Sequence, residues 1–510
     1  MIQDALLSSF SQTLLINGLF IMLFKHILVP LAACCLFTAC ASSSQSTSTP
    51  ASHTIAMNTE LPSIPPAKLF QHQLPSRFTL DNGIKVWYAH NPIVPLMSLK
   101  IAFEAGSYMD PPDKAGLAAL TSAMLKEGSN NKSAQTISDE IEMIGASIFT
   151  STSQDTTALD LQVMTQYFEP ALDILQNIWL HPDFSQDAYD RLLKIWNTNL
   201  VAREDSPEQL AKLAGNRAFF GDLHPYAISS EGYLDTLKNI SIDDIKAHYK
   251  IALAPANAII IITGNLPEND VKTLLNARFG NLDVTPQTLP ACKIPNYDHI
   301  KRVTIVDNPN AAQTIIRIAL PSVKSTDPNL LALKLVNIPF GASFTSRLMQ
   351  NIREDKGYTY GASSAIAALK NDGFLIAQAA VASDVTGPAL HEFLYELNNL
   401  TLGNFTDDEF ERAKATWQSE LVQTFETQSG VIATLTGLAL NHQDIATINN
   451  FAKNLPNLTL EQFNQLAKSF PSIDQATITL VGDKNTILEQ IKDMNLPDPT
   501  FRDQQGNLIK

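Results

Sequence analysis

Apolar residues recur at two spacings along the chain, and each spacing predicts a different kind of element. Alternating, β-prone runs predict strands, as at 84–90 and 258–263. Apolar residues three and four positions apart predict long amphipathic helices, as at 189–200. Because hairpin-like strand runs and helices are interspersed through the body of the chain, we expect an α+β fold.

One pattern of residues occurs twice. The segments FSQDAYDRLLKIWNTNL at 184–200 and FTDDEFERAKATWQSEL at 405–421 share Phe, Asp, an aromatic residue, Arg, Trp and Leu at a constant offset of 221 residues. A second pair of β-prone segments begins Gly-Ala-Ser at 145 and at 361, an offset of 216 residues. Two repeats in the same order and at nearly the same offset predict two homologous halves.

The repeat divides the body of the chain at a Pro-rich stretch. The halves are predicted to run over 67–288 and 289–510, with a linker near 286–297. We expect each half to be a mainly antiparallel sheet packed with helices. A Ser or Thr opens each copied helix, and Thr406 with Glu409 predicts a capping box.

Residues 1–40 have the layout of an export signal. A short basic start after Met22 is followed by the apolar run 27–37 and by small residues before Cys40. This end is similar to a bacterial lipoprotein signal, in which the cysteine becomes lipidated. Cys34 fits the residue pattern better but leaves too short an apolar core before it, so we predict lipidation at Cys40. The true start is either Met1 or Met22. Residues 1–21 carry no Lys or Arg, which favours Met22.

The signal implies a location outside the cytoplasm. Residues 41–66 are rich in Ser, Thr and Pro and predict a flexible tether. Because Ala41 rather than Asp follows the cysteine, we expect a lipid anchor in the outer membrane, with the body facing the periplasm. An uncleaved membrane anchor is the alternative, and it also leaves the body outside the cytoplasm.

Composition narrows the possible functions. Hydrophobic residues make up 45% of the chain and charged residues 17%, which excludes a wholly disordered or fibrous protein. The formal net charge is −15, and an acidic chain is poorly suited to phosphate backbones, so we set nucleic-acid binding aside. Only Cys292 lies in the body, which therefore has no internal disulfide framework.

Five passages carry a family resemblance that spans nearly the whole body in order. They resemble the insulinase/pitrilysin (M16) peptidases, or inverzincins, especially the branch of two-domain subunits that includes the mitochondrial processing peptidases. The resemblance implies a metallohydrolase fold like that of the processing peptidases. The passages are LDNGIKV at 80–86, FEAGSYMDPPDKAGLAAL at 103–120, DLHPYAISSEGYLDTLKNISIDDIKAHY at 222–249, AIIIITGNL at 258–266 and FTSRLMQNIREDKGYTYGASS at 344–364.

The family's catalytic signature is H-x-x-E-H with a distant glutamate, which together hold zinc and activate its bound water. The resemblance places Ala119 and Ala123 at the two histidine positions. It places Ser122 at the catalytic glutamate and Asn199 at the third ligand. A methyl group has no lone pair for a metal, and a hydroxyl is a far weaker base than a carboxylate. We therefore predict no metal and no peptidase activity for this chain alone.

A second motif of the family is intact. The segment 345–356 predicts a helix that ends at Gly357, and a strand follows from Tyr358. In the family an Arg and a Tyr at this spacing contact the substrate backbone and the developing oxyanion, and the resemblance assigns those roles to Arg353 and Tyr360. From the residues alone, a structural salt bridge and a half-buried strand tyrosine remain the alternative.

Some members of the family divide this machinery between two subunits. The leading hypothesis is a zinc-less subunit that supplies Arg353 and Tyr360 to the active site of a zinc-bearing homologue, which hydrolyses peptides. The alternative is a catalytically inactive lipoprotein that binds peptides or acts as a scaffold in the cell envelope. A third possibility, an autonomous peptidase, requires a metal site that the sequence does not offer, since no two of the 10 histidines lie three or four residues apart.

Overall fold

The first half of the chain is organised around a six-stranded sheet. The structure, a computed structural model, describes residues 71–295 and 297–509. The strand order is β1-β2-β8-β3-β7-β6, with β2 and β8 parallel and the other neighbours antiparallel. A short hairpin, β4 and β5, lies outside this sheet. The strands are β1 (Ser76–Thr79), β2 (Lys85–His90), β3 (Leu96–Phe103), β4 (Gly128–Ser129), β5 (Lys132–Ser133), β6 (Ser147–Thr152), β7 (Thr157–Met164) and β8 (Ala258–Gly264).

Several helices of this half begin at a serine cap. Ser133, Ser185 and Ser206 each accept a hydrogen bond from a backbone N–H of the first turn, which satisfies one of the free donors there. The helices are α1 (Leu117–Met124), α2 (Ala134–Met143), α3 (Phe168–Leu180), α4 (Gln186–Glu204), α5 (Pro207–Phe220), α6 (Leu234–Leu237), α7 (Ile242–Ala252) and α8 (Glu268–Phe279).

The second half contains a seven-stranded sheet. Its order is β11-β12-β10-β13-β9-β14-β15, in which β13, β9 and β14 are parallel to one another. The strands are β9 (Arg302–Asp307), β10 (Gln313–Pro321), β11 (Thr359–Ala368), β12 (Gly373–Ala382), β13 (Thr477–Gly482), β14 (Thr500–Arg502) and β15 (Leu508–Ile509).

Seven α-helices and two wider π-helical segments accompany this sheet. The π-helical segments are Ile338–Ala342 and Met349–Asp355. The α-helices are α9 (Leu330–Asn337), α10 (Thr386–Leu402), α11 (Asp407–Glu426), α12 (Gln428–Leu440), α13 (Ile445–Asn454), α14 (Leu460–Ala467) and α15 (Lys484–Ile491).

The two sheets repeat the same topology. The order β2-β8-β3-β7-β6 in the first half matches β9-β13-β10-β12-β11 in the second, and each matched pair of neighbours runs in the same sense. This equivalence confirms the α+β fold with two similar halves. The residue boundaries predicted for the halves stay a prediction.

Each sheet is covered partly by a helix from the other half. Helix α12 lies on β8 and β3 of the first sheet, where Val431 and Leu435 pack with Trp87 and Ile261. Helix α5 lies on β13, β10 and β9 of the second sheet, where its Leu210 joins a shared buried cluster. The halves are therefore interlocked, because removing either one would expose an apolar face of the other.

The C-terminal hairpin of β14 and β15 also joins the two halves. The Arg502 guanidinium donates to an Asp222 carboxylate oxygen at 2.6 Å. The side chain of Gln505 donates to Glu204 at 3.3 Å. Both acceptors belong to the first half, so the last residues of the chain contact elements formed near its middle.

Several local predictions can be compared with these elements. The predicted strand 258–263 is β8, the predicted helix 189–200 lies within α4, and the capping box of Thr406 and Glu409 is present at the start of α11. The export signal 1–40 with Cys40, and the tether 41–66, lie outside the described residues. Among the helices that are described, none combines the length and apolar character needed to cross a membrane.

Candidate functional site

Helix α1 carries three of the four positions that the resemblance assigns to the family's zinc chemistry. A buried carboxylate fixes the start of this helix, because Asp110 accepts backbone hydrogen bonds from Gly116 at 2.9 Å and from Ala118 at 3.0 Å. Burial raises the pKa of Asp110 to about 7, even though these hydrogen bonds favour the charged form. Ala119 and Ala123 offer only methyl groups from this helix, so they cannot hold a metal.

Ser122 stands at the position of the catalytic glutamate and is occupied by local hydrogen bonds. Its side chain is buried, donates to the Ala119 carbonyl at 3.0 Å and accepts from the Thr152 hydroxyl at 3.0 Å. The Thr152 hydroxyl also lies 3.3 Å from that of Thr157. These contacts form a neutral network between α1 and the β6–β7 hairpin, and they leave no carboxylate base at this point.

The fourth position, Asn199, is exposed on α4, and no hydrogen bond among the described residues joins it to α1. Within the ranges that the structure describes, no group of three or more His, Cys, Asp or Glu side chains is placed to hold a metal. The residues at the family's zinc positions therefore do not fit a zinc ion.

The segment that carries Arg353 differs from the predicted helix. The prediction of a helix over 345–356 is wrong in its start and its type, because regular helix begins at Arg347 and the turns from Met349 to Asp355 are π-helical. A tertiary contact accompanies the wider turns: the Asn351 amide donates to Glu392 at 3.0 Å and to Glu396 at 2.8 Å, both on α10. Wide turns of this kind are rare and are often found at functional sites.

Gly357 ends this helix as the sequence predicted. Its φ of +67° lies in the left-handed region, which favours glycine. Its N–H donates to the Arg353 carbonyl at 3.0 Å, and the N–H of Tyr358 donates to the Ile352 carbonyl at 3.0 Å. The chain then turns into β11, so Arg353 lies at the helix end and Tyr360 at the beginning of the strand.

The guanidinium of Arg353 lies against an exposed aromatic ring. Its central carbon is 4.8 Å from the ring centroid of Phe344, which is largely solvent-exposed. Its nearest carboxylate is that of Glu354, at 3.4 Å from Nη1. In the described part of the chain the guanidinium makes no further side-chain hydrogen bond, and 33% of the Arg353 side chain is exposed. The sequence analysis assigned no role to Phe344, although this residue opens the passage 344–364.

Tyr360 is 93% exposed, and a β-bulge explains why. Thr359 pairs with Val381 but Ala362 pairs with Ala379, so β11 carries an extra residue at this point of the edge strand. The Thr359 hydroxyl stabilises the bulge, since it donates to the Ala380 carbonyl at 2.6 Å and accepts from the Gly361 N–H at 3.1 Å. A bulge of this kind changes the direction of a side chain, and it leaves Tyr360 outside the core.

The alternative reading of this motif assumed a half-buried strand tyrosine. Tyr358, two residues earlier, is the half-buried one and packs against the core of the second half. No hydrogen bond joins Arg353 to Tyr360 within the described residues: Arg353 lies before Gly357 in the helical segment, and Tyr360 lies after it in β11.

Comparison with known proteins defines the class of protein. A model of the insulinase family (peptidase family M16) matches residues 85–222. A model described as the peptidase M16 inactive domain matches residues 239–416, and together the two matches cover more than half of the chain. The chain belongs to the insulinase (M16) family of peptidases, which confirms the resemblance. It is a member whose sequence contains no H-x-x-E-H motif.

Two relatives illustrate the range of the family. The protein of Bacillus subtilis named uncharacterized zinc protease YmxG is 22% identical over 400 residues, which is 78% of this chain and 96% of the relative. The non-peptidase homolog YmxG of Helicobacter pylori is 25% identical over 280 residues, which is 54% of this chain and 63% of the relative.

Solved structures show the same fold. A peptidase M16 inactive domain from Pseudomonas fluorescens superimposes with a TM-score of 0.74 and 24% identity, covering 80% of this chain and 98% of that one. A protease from Helicobacter pylori gives a TM-score of 0.75 with 18% identity, covering 80% of this chain and 100% of that one. The predicted fold class is thus confirmed.

Proposed function

We propose that this chain is the zinc-less subunit of an insulinase-family metallopeptidase, and that it supplies Arg353 and Tyr360 to the active site of a zinc-bearing partner. The observation that carries the proposal is the 93% exposure of Tyr360 on a bulge of an edge strand. A large aromatic side chain held in solvent by a defined backbone feature is a typical contact residue.

The chemistry of the two side chains suits peptide hydrolysis. A phenol donates a hydrogen bond without ionising near neutral pH, and a guanidinium carries a permanent charge with donors in a fixed fork. Donors directed at the oxyanion of a tetrahedral intermediate are each worth roughly 3–4 kcal/mol of transition-state stabilisation. In this proposal Tyr360 supplies such a donor, and Arg353 binds the substrate backbone and the oxyanion.

A partner is needed because the side chains of α1 cannot provide the zinc site. Hydrolysis in this family uses a zinc-bound water, and the methyl groups of Ala119 and Ala123 and the hydrogen-bonded hydroxyl of Ser122 supply neither ligand nor base. The zinc is therefore expected in the partner and not in this chain. The name non-peptidase homolog, carried by the Helicobacter pylori relative, is consistent with such a division of labour.

The location is part of the proposal. Lipidation at Cys40 would anchor the subunit to the outer membrane through the tether 41–66, with the body facing the periplasm. Peptide substrates and the zinc-bearing homologue would then be met in the cell envelope. Stable anchoring requires more than one acyl chain, because a single chain binds membranes only marginally.

Kinetics of a reconstituted pair test this function. The subunit would be combined with a zinc-bearing homologue from the same organism, and Tyr360→Phe is expected to lower kcat by about 10²-fold, the usual cost of losing one oxyanion donor. Tyr358→Phe is the matched control and should leave kcat unchanged. Arg353→Ala should lower kcat and raise KM together, because it removes a charge-assisted contact with the substrate.

Assembly must be checked at the same time. Size-exclusion chromatography should show an intact pair for every variant, because two side chains contribute little to an interface between whole domains. Wild-type rates from an intact pair that carries both substitutions would refute the catalytic role. That result would favour the alternative, a catalytically inactive lipoprotein that binds peptides or acts as an envelope scaffold.

A further inference from the structure

Arg317 is a buried cation without a counter-charge. It lies in β10 under helix α5 of the other half, and only 7% of its surface is exposed. In the described part of the chain no carboxylate oxygen lies within salt-bridge distance of its guanidinium. Burial alone lowers the pKa of Arg317 to about 10, with no acidic neighbour to oppose the effect. A buried charge in this state is costly unless something pairs with it.

The Arg317 guanidinium has only part of the hydrogen bonds that it can make. Nη1 donates to the side-chain oxygen of Gln378 and Nη2 to that of Asn216, both at 3.2 Å. Nε has no partner, nor has the neighbouring hydroxyl of Thr479. Because the guanidinium takes both amide oxygens, the free ends of Gln378 and Asn216 are NH₂ groups. The groups left over at the guanidinium, Nε and the two amide NH₂ groups, are therefore donors that lack an acceptor, and the Thr479 hydroxyl can donate as well as accept.

Gly215 on α5 makes room for this arrangement. A Cβ at this position would lie 3.1 Å from Nε of Arg317 and 3.2 Å from the Thr479 hydroxyl. Glycine within a helix costs about 1 kcal/mol relative to alanine. The absence of a side chain at Gly215 allows the arginine to lie directly against the helix.

The equivalent place in the first half is neutral and fully bonded. Ser98 on β3 pairs with Gln162 on β7, as Arg317 on β10 pairs with Gln378 on β12. There the Ser98 hydroxyl donates to the Gln428 side-chain oxygen at 2.7 Å and accepts from the Gln162 amide at 3.2 Å. The Gln428 amide in turn donates to the Leu96 carbonyl at 2.8 Å. A helix of one half can therefore pack on the sheet of the other half without a buried charge. Packing alone does not explain why an arginine lies at this position of β10.

We propose that Arg317, with the amide groups of Gln378 and Asn216, forms a binding site for a carboxylate group. A carboxylate supplies two acceptor oxygens and the missing negative charge, and it matches the fork of a guanidinium. The ligand reaches the site from the side of Gln378, which is exposed on β12. The carboxylate comes either from a free small acid or from the acidic side chain of a peptide that lies over β12. This site is independent of the proposed role of Arg353 and Tyr360.

Thermal unfolding with sodium acetate as the probe tests the site. At constant ionic strength, set with a sulfonate buffer, acetate should raise the melting temperature of the wild-type chain saturably. In Arg317→Met the apparent affinity for acetate should fall at least tenfold. The matched control is Arg502→Met, because Arg502 is equally buried but is paired with Asp222 at 2.6 Å. An equal acetate response in wild type and Arg317→Met would overturn the proposal.

A crystal soaked in sodium bromide gives a test that does not depend on a variant. An anomalous peak within hydrogen-bond distance of the Arg317 guanidinium is expected. Peaks elsewhere on the molecule, with only water at Arg317, would overturn the proposal.

Two peptides then separate the sources of the carboxylate. An alanine peptide with one central glutamate is compared with its glutamine twin by calorimetry. Tighter binding of the glutamate peptide, at least tenfold over acetate and over the twin, identifies a peptide side chain as the ligand. Equal binding of acetate and the glutamate peptide identifies a free small acid. Binding of neither acid contradicts the site.

Discussion

Truncating the side chain of Leu435 tests whether the two halves unfold as one cooperative unit. This leucine lies on α12, belongs to the second half of the chain, and packs on the first sheet with Trp87 and Ile261. Only 1% of its surface is exposed. If the exchange of helices makes the halves interdependent, Leu435→Ala should destabilise both sheets equally.

The size of the effect follows from the burial of this side chain. Leu→Ala removes three carbon atoms from a closely packed site, which costs about 2.4 kcal/mol at about 0.8 kcal/mol for each buried carbon. The cavity left behind adds to that cost, and buried Leu→Ala changes fall between about 2.7 and 5 kcal/mol. We expect the free energy of unfolding to fall by about 3 kcal/mol. Val422→Ala on α11 is the control: Val422 is 41% exposed, and the loss should be well under 1 kcal/mol.

Urea unfolding and native-state hydrogen exchange measure the effect. Circular dichroism gives the total loss, and mass spectrometry of peptides from β8 and from β13 reports the stability of each sheet separately. The reasoning is refuted if exchange accelerates in β8 while β13 keeps its wild-type protection, since the halves would then unfold independently. A total loss below 1 kcal/mol would also refute it, because Leu435 would not be packed as described.

Three further outcomes are expected. Elemental analysis of the purified chain should find far less than one zinc per molecule, and a peptide substrate should not be cleaved by the chain alone; near-stoichiometric zinc with chelator-sensitive cleavage would contradict this. Mass spectrometry of the mature protein should find a lipidated Cys40 at the N-terminus, and an unmodified cysteine would exclude the anchor. Because the pKa of Asp110 is raised to about 7, the folded chain keeps a proton that the unfolded chain releases near pH 4. This group's contribution to the free energy of unfolding should therefore fall by up to roughly 1.4 kcal/mol per pH unit between about pH 4 and pH 7, and Asp110→Asn should remove that fall in urea titrations; an unchanged pH dependence would count against it.

The organisation in two similar α+β halves could be predicted because the repeat is visible in the residues themselves. The copied segments 184–200 and 405–421 became the equivalent helices α4 and α11, each with its predicted cap. The amphipathic pattern of α5 and α12 shows that each helix has a buried face. It does not show that this face covers the sheet of the other half, because periodicity records burial and not the identity of the neighbour.

The sequence named the residues of the candidate site, which stay a prediction, but it did not indicate their geometry. Gly357 was predicted to end the helix because glycine suits the left-handed conformation found there. The wider turns before it accompany contacts of Asn351 with Glu396, which lies 45 residues later, so no local pattern records them. Arg317 is recognisable in the sequence as a single charge in the apolar run QTIIRIALP. Its lack of a carboxylate partner depends on the tertiary structure and cannot be predicted from that run.

The hairpin of β14 and β15 has a consequence for the order in which native contacts form. Arg502 meets Asp222 across 280 residues of sequence, and Gln505 meets Glu204 across 301. The contacts of the first half are therefore complete only when residues 500–509 are present, and a chain without them leaves Asp222 and Glu204 without these donors and the β9 edge uncovered. Contacts between such distant residues form slowly, because a long loop must close before they contribute any stability. Residues of the first half thus reach their native contacts late in the formation of the fold, and removal of residues 500–509 would act on the first half as well as on the second.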